Sequence, residues 1–332
     1  MQRRLTLRYP YVKIAGIGSY LPSRIVLNQE LAETLDTSDE WIVSHTGISK
    51  RHLAADDQSC SDLACLASIK ALASAGLSAE ELGLIIMASS TGDYYNFPST
   101  ACLLQHKLGA KNAAAFDLGA ACSGFVYSLE MGRCWALSQQ KPVLVVGSEM
   151  LSRITDWQDR ETCVLFGDGA AAVVLLPSAE DGIPYSYLAA DGENFNLLKI
   201  DSGCRIPRRG EDRRLNYLQM LGKPLFSFAV RSLETVINKI LQDNNLSLDD
   251  ITYIVPHQAN LRILELVAKR MEIPSSKFYN NINSVANTSA ASIPLVLDEL
   301  HRENKIQSGD LLITVTFGGG LTYGGNLLRW LR

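Results

Sequence analysis

The sequence predicts an α/β fold assembled from two similar halves, residues 1–180 and 181–332. Three observations carry that prediction. Short β-rich runs alternate with longer helical ones. The same series of features occurs twice along the chain. In both series the small or polar residues collect where a strand hands over to a helix, the place where α/β sheets hold their ligands.

The first series opens with "LSAEEL" (77–82) before the buried-strand run "LGLIIMASS" (82–90), and the second with "LSLDDI" (246–251) before "ITYIVPH" (251–257). A helical segment follows each strand, "STACLLQHKLGA" (99–110) and "ANLRILELVAKRMEI" (259–273). In the second, Leu261, Leu264, Ala268 and Met271 are spaced to share one helix face. Next comes a strand leading into a small-residue loop, "AAFDLGAACSG" (114–124) against "KFYNNINSVANTS" (277–289). An apolar run follows, "KPVLVVGSEM" (141–150) or "DLLITVT" (310–316), and a glycine turn with a strand closes each half, "FGDGAAAVVLL" (166–176) or "FGGGLTYGGNLL" (317–328). A series repeated in this order points to duplication.

Composition narrows the function classes. The 332 residues are 47% hydrophobic and 20% charged, as in ordinary globular proteins, and are enough to bury a sizeable core. A net charge of −4 argues against wholesale nucleic-acid binding or attachment to a membrane surface. The N-terminus has arginines but no continuous apolar signal region, and no stretch approaches the ~18 apolar residues of a membrane span. Seven cysteines (60, 65, 102, 122, 134, 163 and 204) include no CxxC pair and read as reduced thiols, so a cytoplasmic location is expected. No glycine-rich nucleotide fingerprint and no clustered metal-ligand set is present, which implies neither cofactor nor metal.

Three residues stand at strand–helix junctions. Cys122 lies in "GAACSGF"; a helix starting at Ser123 or Gly124 would put its sulfur at the helix N-terminus, where the dipole favours a thiolate. The small neighbours leave room for a substrate, and would equally permit tight packing of helix on strand. His257 ends a strand in "VPHQANLRI", a polar turn poorly suited to a core filler, whereas His45, His52, His106 and His301 read as surface or helix residues. Asn287, in "NSVANTSAASIP", is either a turn former or a polar group presented at a junction. The glycine-rich turn "FGGGLTYGG" (317–325) offers unobstructed backbone N–H groups to an oxyanion, or is simply a tight hairpin.

With these residues in place, the chain resembles the β-ketoacyl-acyl-carrier-protein synthase III family. "TSDEWIVSHTGISKRH" (37–52), "FPSTACLLQHKLGA" (97–110), "FDLGAACSGF" (116–125), "FGDGAAAVVL" (166–175), "VPHQANLRI" (255–263) and "NTSAASIPLVL" (287–297) carry the likeness along nearly the whole chain. The resemblance implies a thiolase-like five-layered αβαβα fold, a homodimer, and the initiating condensation of type II fatty-acid synthesis. Cys122 would take an acyl group from acyl-CoA, which is a substrate and no cofactor, with the N–H groups of Cys122 and Gly319 as oxyanion hole. His257 and Asn287 would act as donors to the enolate formed from malonyl-acyl-carrier protein.

By the same resemblance Trp41 and Arg160 would sandwich the adenine, Asn260 would touch the pantetheine arm, and Phe97 would reach the acyl pocket across the dimer. Gln258, Ala259, Asn260, Leu261 and Arg262 would meet the carrier protein. His45 stands where many relatives have arginine, and Glu161 where glycine often follows the stacking arginine. An acyltransferase or secondary-metabolite ketosynthase with the same triad is the alternative.

Overall fold

The computed structural model describes residues 9–201 and 217–331; the N-terminal stretch 1–8 and Cys204 lie outside them. In chain order, β1 (Tyr11–Tyr20) is followed by β2 (Arg24–Leu27), α1 (Asn28–Ala32), α2 (Asp39–Thr46) and β3 (Lys50–Leu53). Then come α3 (Cys60–Ala75), β4 (Leu84–Ala88), α4 (Thr100–Leu108), β5 (Ala114–Leu118) and α5 (Gly124–Gln139). β6 (Val143–Met150), α6 (Arg160–Cys163) and β7 (Asp168–Ser178) complete the first series. The second contains β8 (Tyr185–Ala190), β9 (Leu198–Lys199), β10 (Gln219–Met220), α7 (Gly222–Asp243), β11 (Tyr253–Pro256) and α8 (Leu261–Arg270). It ends with α9 (Ile282–Val285), α10 (Ser292–Arg302), β12 (Leu311–Gly318) and β13 (Thr322–Arg329).

The two large sheets have matching orders. The first runs β1-β7-β6-β4-β5, and the second, read from its far edge, β8-β13-β12-β11. The directions match too: β4 is parallel to β6 and β11 to β12, whereas β6 and β7, like β12 and β13, are antiparallel. What stands where β5 would be in the second sheet is a single parallel bridge from Ile254 to Phe278. The run "KFYNN" is therefore no strand. Lys277 closes a tight turn begun at Ser275, and only the Tyr279 N–H reaches the Ile254 carbonyl before the chain turns into α9.

Side-chain alternation explains the layering. Leu84 and Ile86 of β4, with Val143 and Val145 of β6, face a central core shared with Phe125, Val126 and Leu129 of α5 and Val296, Leu297 and Leu300 of α10. Their alternates Ile85, Met87, Leu144 and Val146 face α3 and α4 on the other side. On the second sheet Leu312 points to the centre, while Ile313 and Val315 pack on α7 and α8. A period of two buries both faces of each sheet, and the result is α3/α4, sheet, α5/α10, sheet, α7/α8: a thiolase-like αβαβα sandwich.

Two local readings change. The buried residues of α8 are Ile263, Leu264, Val267 and Ala268, so its face is rotated from the one expected. Leu261, in the first turn, packs with the cluster around α2 instead, close beneath Gly47.

Candidate active site

Cys122 sits in a single 3₁₀ turn, Ala121–Ser123, whose last residue is the N-cap of α5. Ala121 has a φ of +46°, a conformation in which an L residue is strained. The turn persists because the other half holds it. Thr316 Oγ1 donates to the Cys122 carbonyl at 3.1 Å, Ser123 Oγ to the Thr322 carbonyl at 3.1 Å, and Thr322 Oγ1 to the Ala120 carbonyl at 3.1 Å. At Gly318 any side chain would collide with the Cys122 backbone nitrogen, 2.8 Å from where its Cβ would be. The glycine at the end of β12 is what lets the two halves meet at the nucleophile.

His257 follows β11 and is 1% exposed. Its N–H donates to the Val315 carbonyl at 2.7 Å, and Phe317 packs edge-on against its ring. Nδ1 lies 2.8 Å from Ser292 Oγ, which is also 2.8 Å from the Ser289 carbonyl oxygen. One hydroxyl proton can serve only one of these acceptors, so the rotation of Ser292 sets whether Nε2 is an N–H donor or a lone pair. Nε2 itself is buried and has no hydrogen-bond partner among the described residues. Burial drives the imidazole down to about 3, so it is neutral at working pH.

Asn287 is 5% exposed and lies beside Phe166, tied by its N–H to the Leu165 carbonyl and by its carbonyl to the Gly167 N–H. Its Oδ1 accepts the Ser289 N–H at 2.9 Å, which leaves the Nδ2 donors for another partner.

Cys122, His257, Asn287 and Gly319 line one cavity of about 850 Å³, together with Trp41, His45, Arg160, Glu161, Ala259 and Asn260. That volume is within the usual range for sites that bury a small-molecule ligand. At the exposed lining the Arg160 guanidinium lies 4.9 Å from the Trp41 ring centre, and His45 is stacked on Trp41 at 4.4 Å. Arg160 also donates to the Asp36 carbonyl at 2.7 Å. Buried Arg51, bonded to Asn28 Oδ1 at 2.7 Å and to the Val164 carbonyl at 3.0 Å, ties the segment bearing α2 to the wall of the cavity.

The expected thiolate is not what the surroundings favour. Enclosure by protein pushes the Cys122 thiol up to about 12, and nearby Glu149 adds to the rise. The Ser289 hydroxyl and a backbone N–H at the helix start oppose this without overcoming it. Desolvation outweighs the helix terminus here.

Gln258 is a second correction. It is fully buried, its carboxamide paired with Asn281 in both directions, so its side chain is closed to a protein arriving from outside. Asn260 caps α8 by accepting the Arg262 N–H at 2.9 Å and donates to the His45 carbonyl at 3.0 Å, while its residue still lines the cavity. Arg262 is exposed. Phe97 lies outside this cavity, 92% exposed, beside exposed Tyr94 and Tyr95. Ser289 lines the cavity, and Glu149 and Ser292 are bonded to its lining residues Ser289 and His257; none of the three was singled out by the sequence.

Family comparison agrees with this architecture. Residues 116–192 match the model described as 3-oxoacyl-[acyl-carrier-protein (ACP)] synthase III, and residues 241–330 match its C-terminal counterpart. The β-ketoacyl-[acyl-carrier-protein] synthase III of Xanthomonas campestris is 47% identical over 96% of this chain and 98% of its own. The chain belongs to the β-ketoacyl-acyl-carrier-protein synthase III family. Its Clostridium perfringens relative is 48% identical over 96% of this chain and 98% of its own. Among solved structures, the Aquifex aeolicus synthase III superposes with a TM-score of 0.90 at 43% identity, covering 96% of this chain and all of that one. The priming β-ketosynthase of the R1128 polyketide pathway gives 0.91 at 34% identity, covering 98% of this chain and 97% of its own. The protein is thus an acyltransferase of the condensing-enzyme class, the initiating kind in fatty-acid synthesis.

Proposed function

We propose that the chain transfers an acyl group from acyl-CoA, acetyl-CoA in the first instance, to Cys122 and condenses it with malonyl-acyl-carrier protein. The products are 3-oxoacyl-carrier protein, CO2 and CoA. One observation carries the reading: Cys122 from one half and His257 and Asn287 from the other line the same cavity as Trp41 and Arg160.

In the first step Cys122 sulfur bonds to the thioester carbon and the CoA sulfur departs. The N–H groups of Cys122 and Gly319 hold the oxyanion between these events. In the second step the malonyl thioester oxygen lies against Asn287 Nδ2 and His257 Nε2–H, the tautomer present when Ser292 donates to Nδ1. Loss of CO2 leaves an enolate that both donors stabilise, and its carbon attacks the acyl-cysteine. Decarboxylation supplies the carbanion, so the chemistry requires no cofactor, metal or strong base.

The stacked Trp41 and Arg160 are suited to a flat base and its phosphates. Arg262, with Ala259, Asn260 and Leu261 behind it, forms the carrier-facing surface. The exposed Phe97, Tyr94 and Tyr95 support a homodimer in which Phe97 contributes to the partner's acyl pocket. Among the described residues no helix is long and apolar enough to cross a membrane, and all six described cysteines are free thiols; both agree with a cytoplasmic enzyme.

The R1128 ketosynthase superposes as well as the fatty-acid enzymes do, so the choice of carrier separates the second reading, a secondary-metabolite ketosynthase, from the first. Intact mass spectrometry tests both. The enzyme should gain an acyl mass from a short acyl-CoA and release it as 3-oxoacyl-carrier on adding malonyl-loaded fatty-acid carrier. An acyl-enzyme that never condenses with malonyl-carrier overturns the assignment.

A further inference from the structure

Glu149, on β6 of the first half, is fully buried, and donors from the loop after β4 hold one of its oxygens. Oε2 accepts the Ser90 N–H at 3.0 Å, Thr91 Oγ1 at 2.7 Å and Ser89 Oγ at 3.3 Å. The Thr91 hydroxyl already accepts the Met150 N–H at 2.8 Å, which commits its own proton to the carboxylate. The other oxygen, Oε1, reaches into the second half and accepts Ser289 Oγ at 2.9 Å.

Ser289 in turn sets Asn287. Its backbone N–H donates to Asn287 Oδ1 at 2.9 Å. A backbone N–H can only donate, so the carboxamide oxygen must be the atom that meets it. The two Nδ2 hydrogens are thereby left for a partner in the cavity that Asn287 lines. The loop that carries this arrangement is strained. Ser289 has a φ of +49° and Ala286 one of +61°, both in the region that disfavours a side chain. Strain on both sides of Asn287 persists only where the surroundings over-determine it. Gly147, two residues before Glu149 on the same strand, lets the loop come close: a Cβ there would meet the Ala290 carbonyl oxygen at 2.5 Å.

We propose that Glu149 positions Asn287 for the enolate step, by clamping the Ser289 hydroxyl and through it the N–H that orients the carboxamide. Glu149 touches no reacting atom in this role. It is a positioning residue, acting from the half that carries Cys122 on a donor carried by the other half. The Ser289 carbonyl, 2.8 Å from Ser292 Oγ, serves the His257 arm and keeps its atoms when the hydroxyl is removed. The clamp therefore acts on one of the two enolate donors.

The proposal rests on the condensing-enzyme reading and says how one of its donors is held. Malonyl-carrier decarboxylation by the full chain, with kcat and KM separated, tests it. The enzymes compared are wild type, Ser289→Ala, Ser289→Gly, Glu149→Gln, Asn287→Ala and the double variant Ser289→Ala/Asn287→Ala. Ser289→Ala should lower kcat about tenfold with little change in KM, because a donor that wanders loses part of the roughly hundredfold effect of one that is absent. Glycine takes up a positive φ freely but has no hydroxyl, so Ser289→Gly should be as slow. Glu149→Gln, which puts an NH2 among groups that all donate, should be slowed as well. The double variant should be no slower than Asn287→Ala alone, because the clamp has no other route to the reaction. A structural defect would instead multiply with the loss of Asn287, and that result overturns the proposal. So does either Ser289 variant, or a folded Glu149→Gln enzyme, with the wild-type kcat. If Glu149→Gln does not fold, the Ser289 variants and the double variant decide the matter. A wild-type protein that never decarboxylates malonyl-carrier overturns the functional reading instead.

Discussion

The buried end of the cavity and its exposed lining are built on different physics. His257, Asn287 and Glu149 are at most 5% exposed, and neighbouring side chains or backbone fix the nitrogen or oxygen each presents. Arg160, His45 and Glu161 are exposed, and the Arg160–Asp36 contact spans 3.9 Å between two accessible side chains. A polar group enclosed by protein interacts strongly and leaves a large penalty when its partner goes, while an exposed charge is screened. Single substitutions should therefore separate into two classes by magnitude.

The largest effect belongs to Cys122. Cys122→Ala and Cys122→Ser should abolish the acyl mass shift, since neither can form the thioester. Persistence of that shift in the alanine variant would remove Cys122 from the chemistry. Iodoacetamide should modify Cys122 slowly at neutral pH and much faster as pH rises, because its thiol is held high by burial. Rapid, pH-independent labelling would show that the helix terminus wins after all.

His257→Ala and Asn287→Ala come next. Each should lower malonyl-carrier decarboxylation by about two orders of magnitude, the usual scale for one lost oxyanion donor, while sparing acylation more. A variant that decarboxylates normally but no longer acylates would reverse these roles.

The same histidine should shape stability. In the fold it stays neutral down to about pH 3, whereas the unfolded chain takes up a proton near 6.5. The unfolded state therefore binds more protons between these values, and stability is lost as pH falls through that window, by up to ~1.4 kcal/mol per pH unit. Urea midpoints between about pH 7 and 4 should fall less steeply for His257→Ala than for wild type. Parallel slopes would mean that the ring is hydrated in the native state.

What the sequence made legible follows the same division. Alternating runs and junction loops revealed the layered α/β order and pointed to Cys122, His257 and Asn287, because these depend on local pattern and on where strands end. The missing fifth strand of the second sheet was not legible: Phe278 is apolar and follows a turn as a strand would, and only the ladder shows that pairing stops after one bridge. Glu149 reads in "VLVVGSEM" as the polar end of a buried strand. Its surroundings come from residues 58 and 140 positions away, Thr91 and Ser289, which no window includes. The height of the Cys122 thiol was hidden for the same reason, since a helix start is visible in a sequence and enclosure by the other half is not.

The smallest effects belong to the exposed lining. Arg160→Ala should weaken acyl-CoA binding, since it removes the guanidinium that lies over Trp41 along with a positive charge. Glu161 lines the same cavity and carries charge of the sign of the CoA phosphates. Glu161→Gly should tighten binding, by about 1 kcal/mol or less, as for other exposed charge contacts. The gain should fade as salt rises, because the screening length is only ~8 Å at physiological ionic strength. His45 is stacked on Trp41, so His45→Arg should add to the gain only if the longer side chain reaches a phosphate. Affinity for acetyl-CoA across a salt series measures all three. If Glu161→Gly changes nothing at any salt concentration, the nucleotide does not pass this carboxylate, and an acyl donor borne by a carrier protein becomes the better candidate.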